Sequence, residues 1–128
     1  MDTLGNTRKK LAVVFENNEI VLNAVRKVLE GLGYEVRRDV ESARHADIGF
    51  VGAYFALLGV VHQLRQMNAL LPLVLIVNSD QKLCLQSAKD FYDIIHIQTR
   101  DQGRVRDRVA RWFSEGQGRF LSNKRRPS

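Results

Sequence analysis

Ala46-Asp47-Ile48-Gly49-Phe50-Val51-Gly52 is the stretch whose reading decides the fold. It is entered through a carboxylate, runs apolar and is left through a glycine, which is the pattern of a short strand buried on both faces. Such strands belong to parallel sheets with helical layers above and below. The apolar character then runs on through Ala53-Tyr54-Phe55-Ala56-Leu57-Leu58-Gly59-Val60-Val61, so the strand feeds directly into a helix that is apolar on every side. From Tyr54 to Asn68 the spacing predicts one helix. Leu57, Val61 and Leu64 separate onto one face of its later part, and Gln63, Arg65 and Gln66 onto the other. The run Ile48 to Val61 falls short of the roughly 20 residues of a membrane span and is broken by glycines.

Towards the N-terminus, Leu11-Ala12-Val13-Val14-Phe15 is a second continuous apolar strand, followed by the turn Glu16-Asn17-Asn18-Glu19. Asn17 or Asn18 caps a helix with Val21, Ala24, Val25, Val28 and Leu32 on one face, and Gly31 and Gly33 mark its end. Tyr34 to Arg38 then reads as a strand, completing a β-α-β unit. Arg37 to His45 is too short for a full helix with two loops, so one turn at about Glu41 to His45, or none, is expected there.

Towards the C-terminus, Pro72 to Val77 is a buried strand, Ser79-Asp80 a cap and Gln81 to Lys89 a short helix. Ile94 to Ile97 is a fifth strand, and Asp101 to Ser114 a last helix with Val105, Val109, Trp112 and Phe113 inward. Residues 1–8 read as disordered, 9–114 as one α/β domain with an open parallel sheet and helices on both faces, and 115–128 as a basic tail or linker.

The chain has 128 residues, 45% hydrophobic and 27% charged, with one cysteine, Cys84. That is enough for one core and excludes an internal disulfide. The N-terminal residues lack the apolar segment of a signal peptide, which points to the cytoplasm. The net charge of +6 is local. Residues 1–99 hold eleven Lys/Arg and eleven Asp/Glu, whereas residues 100–128 hold nine Lys/Arg against Asp101, Asp107 and Glu115. The basic pI therefore describes the last helix and tail, not a nucleic-acid footprint of the whole surface.

Leu11-Ala12-Val13-Val14, Gly33-Tyr34-Glu35-Val36, Ala46 to Val51 and Leu71 to Ile76, in this order and spacing, resemble the phrases that open strands one to four of response-regulator receiver domains. The resemblance covers about residues 9–114. It implies a CheY-like, flavodoxin-like doubly wound sheet of strand order 2-1-3-4-5, with the second helix shortened or missing. It also implies where a phosphorylation site would lie. The acidic pair that holds Mg²⁺ falls on Phe15 and Glu16, and the acceptor aspartate on Gly52. The switch Ser/Thr falls on Val77, or on Ser79 if the strand is longer, and the pairing lysine on Gln98, followed by Thr99. One carboxylate is left, with no nucleophile and no lysine, so phosphotransfer is expected to be lost. Within the family the chain is similar to the degenerate N-terminal domains of flagellar-regulator-type enhancer-binding transcription activators.

No other chemistry takes its place in the sequence. His45, His62 and His96 fall on three different elements without ligand spacing, and no glycine-rich phosphate loop follows the first strand. Glu16 reads as a helix-start charge suited to the dipole. The expectation is a non-enzymatic module without metal or cofactor that binds a protein partner. It is expected to form a homodimer through Tyr54, Leu58 and Val61, which cannot all reach the sheet. In such regulators the last strand and helix are a second dimer surface, here with Trp112 or Phe113 at its edge. Arg104, Arg108 and Arg111 fall within roughly a 60° arc of the last helix, which reads as a solvated flank or a weak nucleic-acid contact. The alternatives are a nucleic-acid binder using this basic segment, or a small ligand-binding α/β domain with a pocket lined by Phe15, Gly52 and Asn78.

Overall fold

The computed structural model describes residues 10–78, 91–97 and 102–125, the last helix in side-chain detail over 104–115. The expected Ser79-Asp80 cap and Gln81–Lys89 helix, the residues Cys84, Gln98 and Thr99, and residues 1–8 lie outside the described residues.

Five parallel strands form one sheet: β1 (Lys10–Phe15), β2 (Tyr34–Arg37), β3 (Ile48–Gly52), β4 (Leu73–Asn78) and β5 (Asp93–Ile97), in the order β2-β1-β3-β4-β5. This is the order that the receiver resemblance implies. The quoted stretch lies at its centre, with every residue of β3 buried. Asp47 fixes the entry to β3: its carboxylate accepts from the Leu11 amide at 2.9 Å, and its own amide donates to the Leu11 carbonyl at 2.7 Å.

Alternation along the strands divides the core in two. Ala12, Val14, Ile48, Phe50, Val74, Ile76, Ile95 and Ile97 face α1 (Glu19–Gly31) and α4 (Gln102–Arg125), which contributes Val105, Val109 and Phe113. Val13, Phe15, Val51, Leu73, Leu75 and Val77 face the other layer. Gly49 admits close packing there, since a Cβ would lie 2.7 Å from Leu73 Cδ2 and 3.2 Å from Val13 Cγ2.

The layers depart from the sequence reading in several places. Asn18, one of the two candidate caps, holds the Ile20 and Val21 amides. Leu22 and Leu29 join the buried face of α1, whereas Leu32 is its C-cap and 39% exposed, because the chain has already left the helix and turns through Gly33 at φ 92°. The short segment between β2 and β3 is a 3-10 helix, Val40–His45, capped by Asp39, whose carboxylate accepts from the Ser42 amide and hydroxyl. It still covers the sheet: Ala43 is fully buried, and its carbonyl accepts from the Asn68 side chain at 3.1 Å.

The single helix expected over 54–68 is two, α2 (Ala53–Leu57) and α3 (Val60–Met67). Gly59 at φ 85° interrupts them, a left-handed conformation that a glycine takes without penalty. The break rotates α2 relative to the extrapolated face, so Leu57, expected inward, is 66% exposed. At the other end, α4 does not stop at Ser114 but runs to Arg125, there being no proline before Pro127 to end it. Among the described residues no helix is long and apolar enough to cross a membrane.

Candidate functional site

The sheet register assembles the site at the carboxyl edge of the strands. Phe15 of β1 pairs with Val51 of β3, so the next residues, Glu16 and Gly52, stand level. Gly52 pairs in turn with Ile76, which sets Val77 one step further out. Four of the five positions singled out in the sequence, Phe15, Glu16, Gly52 and Val77, therefore share one edge; the fifth, Gln98, lies outside the described residues.

Glu16 is not the helix-start charge expected of it. Glu19 occupies the first turn of α1, while Glu16 is only 8% exposed, the buried charged residue among the described residues. One carboxylate oxygen, Oε2, accepts from the Asn18 amide at 3.1 Å. The other, Oε1, lies over Gly52, so close that a Cβ on residue 52 would stand 1.9 Å from it and 3.3 Å from the Phe15 carbonyl. Gly52 has φ −70° and ψ 152°, ordinary extended backbone that any residue adopts. A side chain at this position therefore requires the Glu16 carboxylate to move, and not a change of backbone. The Glu16 carboxylate fills the volume into which an acceptor aspartate would project. Burial raises its pKa above the ordinary 4.5, and the Asn18 amide offsets part of that rise.

Phe15 closes the other side. Its buried ring meets Phe55 of α2 edge-on, with centroids 6.1 Å apart, and it shares an apolar cluster with Val77, which is 5% exposed. A divalent cation here would meet one desolvated carboxylate and two hydrocarbon side chains, a poor match to its preference for several oxygen ligands. Among the described residues no three His, Cys, Asp or Glu side chains come together as a metal cluster. His45, His62 and His96 are exposed on three separate elements.

Beside the site, α2 carries the apolar surface. Tyr54 is 47% and Leu58 58% exposed, as the sequence implied, and Leu57 joins them. Val61 does not; it is half-buried and packs against the second core cluster. The sequence reading also missed Phe55, whose ring lies between Phe15 and Tyr54; an aromatic in an all-apolar segment gives no sign of its direction until the helix phase is known.

The basic flank lies on the opposite layer. Arg104, Arg108 and Arg111 are all exposed on α4, and the Arg108 Nε donates to the His96 carbonyl at 3.0 Å. Trp112, expected with Phe113 as the alternative at the edge of a partner surface, is half-buried. Its indole N–H donates to Asp93 at 2.7 Å, and its ring meets Phe50 edge-on at 5.7 Å. It closes the core between α4 and β5.

No family model matches the chain, and no curated protein matches it. Solved structures do. A response regulator from Hahella chejuensis is 16% identical with a TM-score of 0.56, over 82% of this chain and 92% of its own. NtrX from Brucella abortus, in complex with ADP, is 21% identical with a TM-score of 0.54, over 93% of this chain but only 29% of its own. A de novo designed Rossmann 2x3 protein matches at 16% identity and a TM-score of 0.54, over 85% of this chain and 92% of its own. Further matches are response regulators and receiver domains. A designed protein scoring as well as natural ones makes this a likeness of architecture: the chain has the fold of response-regulator receiver domains.

Proposed function

We propose that the chain is a pseudo-receiver: a receiver-fold domain that works in bacterial signal transduction or transcription regulation by binding protein, without being phosphorylated and without catalysing a reaction. The observation that carries this reading is the Glu16 carboxylate lying against Gly52, where an acceptor side chain would need to stand. Phe15, buried at the position of a metal-holding carboxylate, supports it. NtrX, matched over 29% of its own length, carries a unit of this fold within a longer chain, which is compatible with the enhancer-binding transcription activators that the sequence resembles.

The binding surface in this reading is α2 with the start of α3. Residues 48–64 contain no Asp, Glu, Lys or Arg, although 27% of the chain is charged. Tyr54, Leu57 and Leu58 make this uncharged segment apolar at the surface. A second copy is the partner favoured, since two such surfaces meet without charge repulsion and the basic α4 helices lie on the opposite layer.

Acetyl phosphate or beryllofluoride with Mg²⁺ should leave mass, melting temperature and sedimentation unchanged. A phosphoryl adduct, or a melting temperature raised by several degrees, overturns the reading. Sedimentation equilibrium at micromolar concentration should give a dimer that Leu58→Glu breaks and Arg108→Glu does not. A monomer across the range rejects self-association.

A further inference from the structure

Phe15 at the end of β1, and Glu16 and Asn18 in the loop after it, are each tied to a different element. The Phe15 ring contacts Phe55 of α2. Glu16 reaches across to Gly52, the residue that caps α2 and has no side chain with which to hold the first amides of that helix. Asn18 caps α1 with its side chain and holds Glu16 with its amide. Because α2 is a single short helix ending at the Gly59 break, it has little stability of its own and takes its position from what it rests on.

We infer that Glu16 and Gly52 form an interlock, in which the side chain of one fills the space that the missing side chain of the other leaves, and that this interlock fixes the start of α2 and with it the apolar turn Tyr54 to Leu58. The site is thus permanently occupied from within. The β1–α1 loop and the exposed face of α2 act as one unit: what dislodges the Glu16 carboxylate also loosens the surface that carries Tyr54, Leu57 and Leu58. The inference stands on the contacts alone and holds whether or not that surface binds a partner.

Amide hydrogen exchange on Gly52→Ala, Glu16→Ala, the double variant and Glu16→Gln tests it, read at residues 53–57 and, as a control for global unfolding, at β5 and α4. Gly52→Ala should speed exchange over 53–57 by about tenfold, with β5 and α4 much less affected. The double variant should return it to within about threefold of wild type, because the new methyl enters the space that the carboxylate has left. Glu16→Gln, equal in volume and still able to accept from Asn18, should exchange over 53–57 no faster than wild type does. A second readout is the titration of the Glu16 carboxyl by NMR. In Gly52→Ala, with the side chain expelled into water, its pKa should fall back towards the ordinary 4.5. Additive effects of the two alanines, acceleration spread equally over β5 and α4, or a Glu16 titration unmoved by Gly52→Ala would each overturn the interlock. None of these outcomes depends on phosphorylation, so they separate from a failure of the pseudo-receiver reading.

Discussion

Placing an aspartate at position 52 is the most direct test of what Gly52 does. In Gly52→Asp the backbone is no obstacle, since φ −70° and ψ 152° suit any residue. The Cβ, however, arrives 1.9 Å from Glu16 Oε1, and no rotamer of the new side chain relieves a clash at Cβ. Glu16 must move. If it shifts by only a few ångströms, two carboxylates about 4 Å apart repel by about 4 kcal/mol at the effective dielectric of a partly buried site. If it swings fully into water, its bond to the Asn18 amide is lost, at a cost of about 1.5–3 kcal/mol. Part of that returns as hydration. The cheaper route sets the loss, about 1–3 kcal/mol at pH 7. With a urea m-value of about 1.5 kcal/mol/M for this size, the midpoint should drop by roughly 0.7–2 M. Trp112, the single tryptophan, half-buried against Phe50, reports the transition. Lowering the pH towards 4.5 should recover part of the loss, because neutralising one carboxylate removes the repulsion. The variant should still take no phosphoryl group from acetyl phosphate, Phe15 being in place of a metal ligand. Stability at pH 7 within about 0.5 kcal/mol of wild type would refute the steric reasoning, and efficient phosphorylation would refute the reading of Phe15.

Three further outcomes are expected. Gly49→Ala should cost about 1–2 kcal/mol in urea denaturation, since its methyl meets Leu73 at 2.7 Å and Val13 at 3.2 Å inside a filled layer; a variant as stable as wild type would show that the layer repacks freely. Glu16→Gln should stabilise the fold at pH 7 and not at pH 4. Burial raises the Glu16 pKa in the folded state, so the carboxyl favours folding fully below its unfolded value of 4.5 and loses that contribution as pH rises through the folded value; a difference between variant and wild type that does not change with pH rejects this. Reversing Arg104, Arg108 and Arg111 together should leave partner binding unchanged, as a solvated flank would, with a small loss of stability from the Arg108 bond to the His96 carbonyl; lost binding would move the functional surface to α4.

The sheet was legible in the sequence because a strand buried on both faces has no other way to be written. Val13 and Val14, Phe50 and Val51, Leu75 and Ile76 each send neighbours to opposite core clusters, so no polar residue interrupts the runs. The helical layer was less legible where a glycine changes the phase. Periodicity carried across Gly59 as though the helix were continuous puts Leu57 inward, and a φ of 85° at one residue turns it outward. The end of α4 misled for a related reason: Gly116 and Gly118 lower helix propensity by about 1 kcal/mol each without forbidding the conformation, and a proline would have been needed to end it.

The site divides along the same line. Read singly, Gly52 stands where the receiver resemblance would place an acceptor aspartate, and Glu16 reads from residue type as a turn carboxylate. That the two are halves of one arrangement depends on register, which brings Phe15 beside Val51 and so Glu16 beside Gly52. A glycine at this position on its own would leave a void or a water-filled notch at the end of a buried strand. A carboxylate from the neighbouring strand fills it, is desolvated in doing so, and excludes any side chain at position 52 larger than hydrogen while it stays. Building a phosphorylation site here therefore requires more than replacing Gly52. Glu16 must be removed from the space and set facing a cation, and the Phe15 ring must be exchanged for a second carboxylate at the expense of its contact with Phe55. Each of these changes also removes a support of α2, so building that chemistry and keeping the apolar surface of Tyr54, Leu57 and Leu58 in place are competing demands on the same few residues.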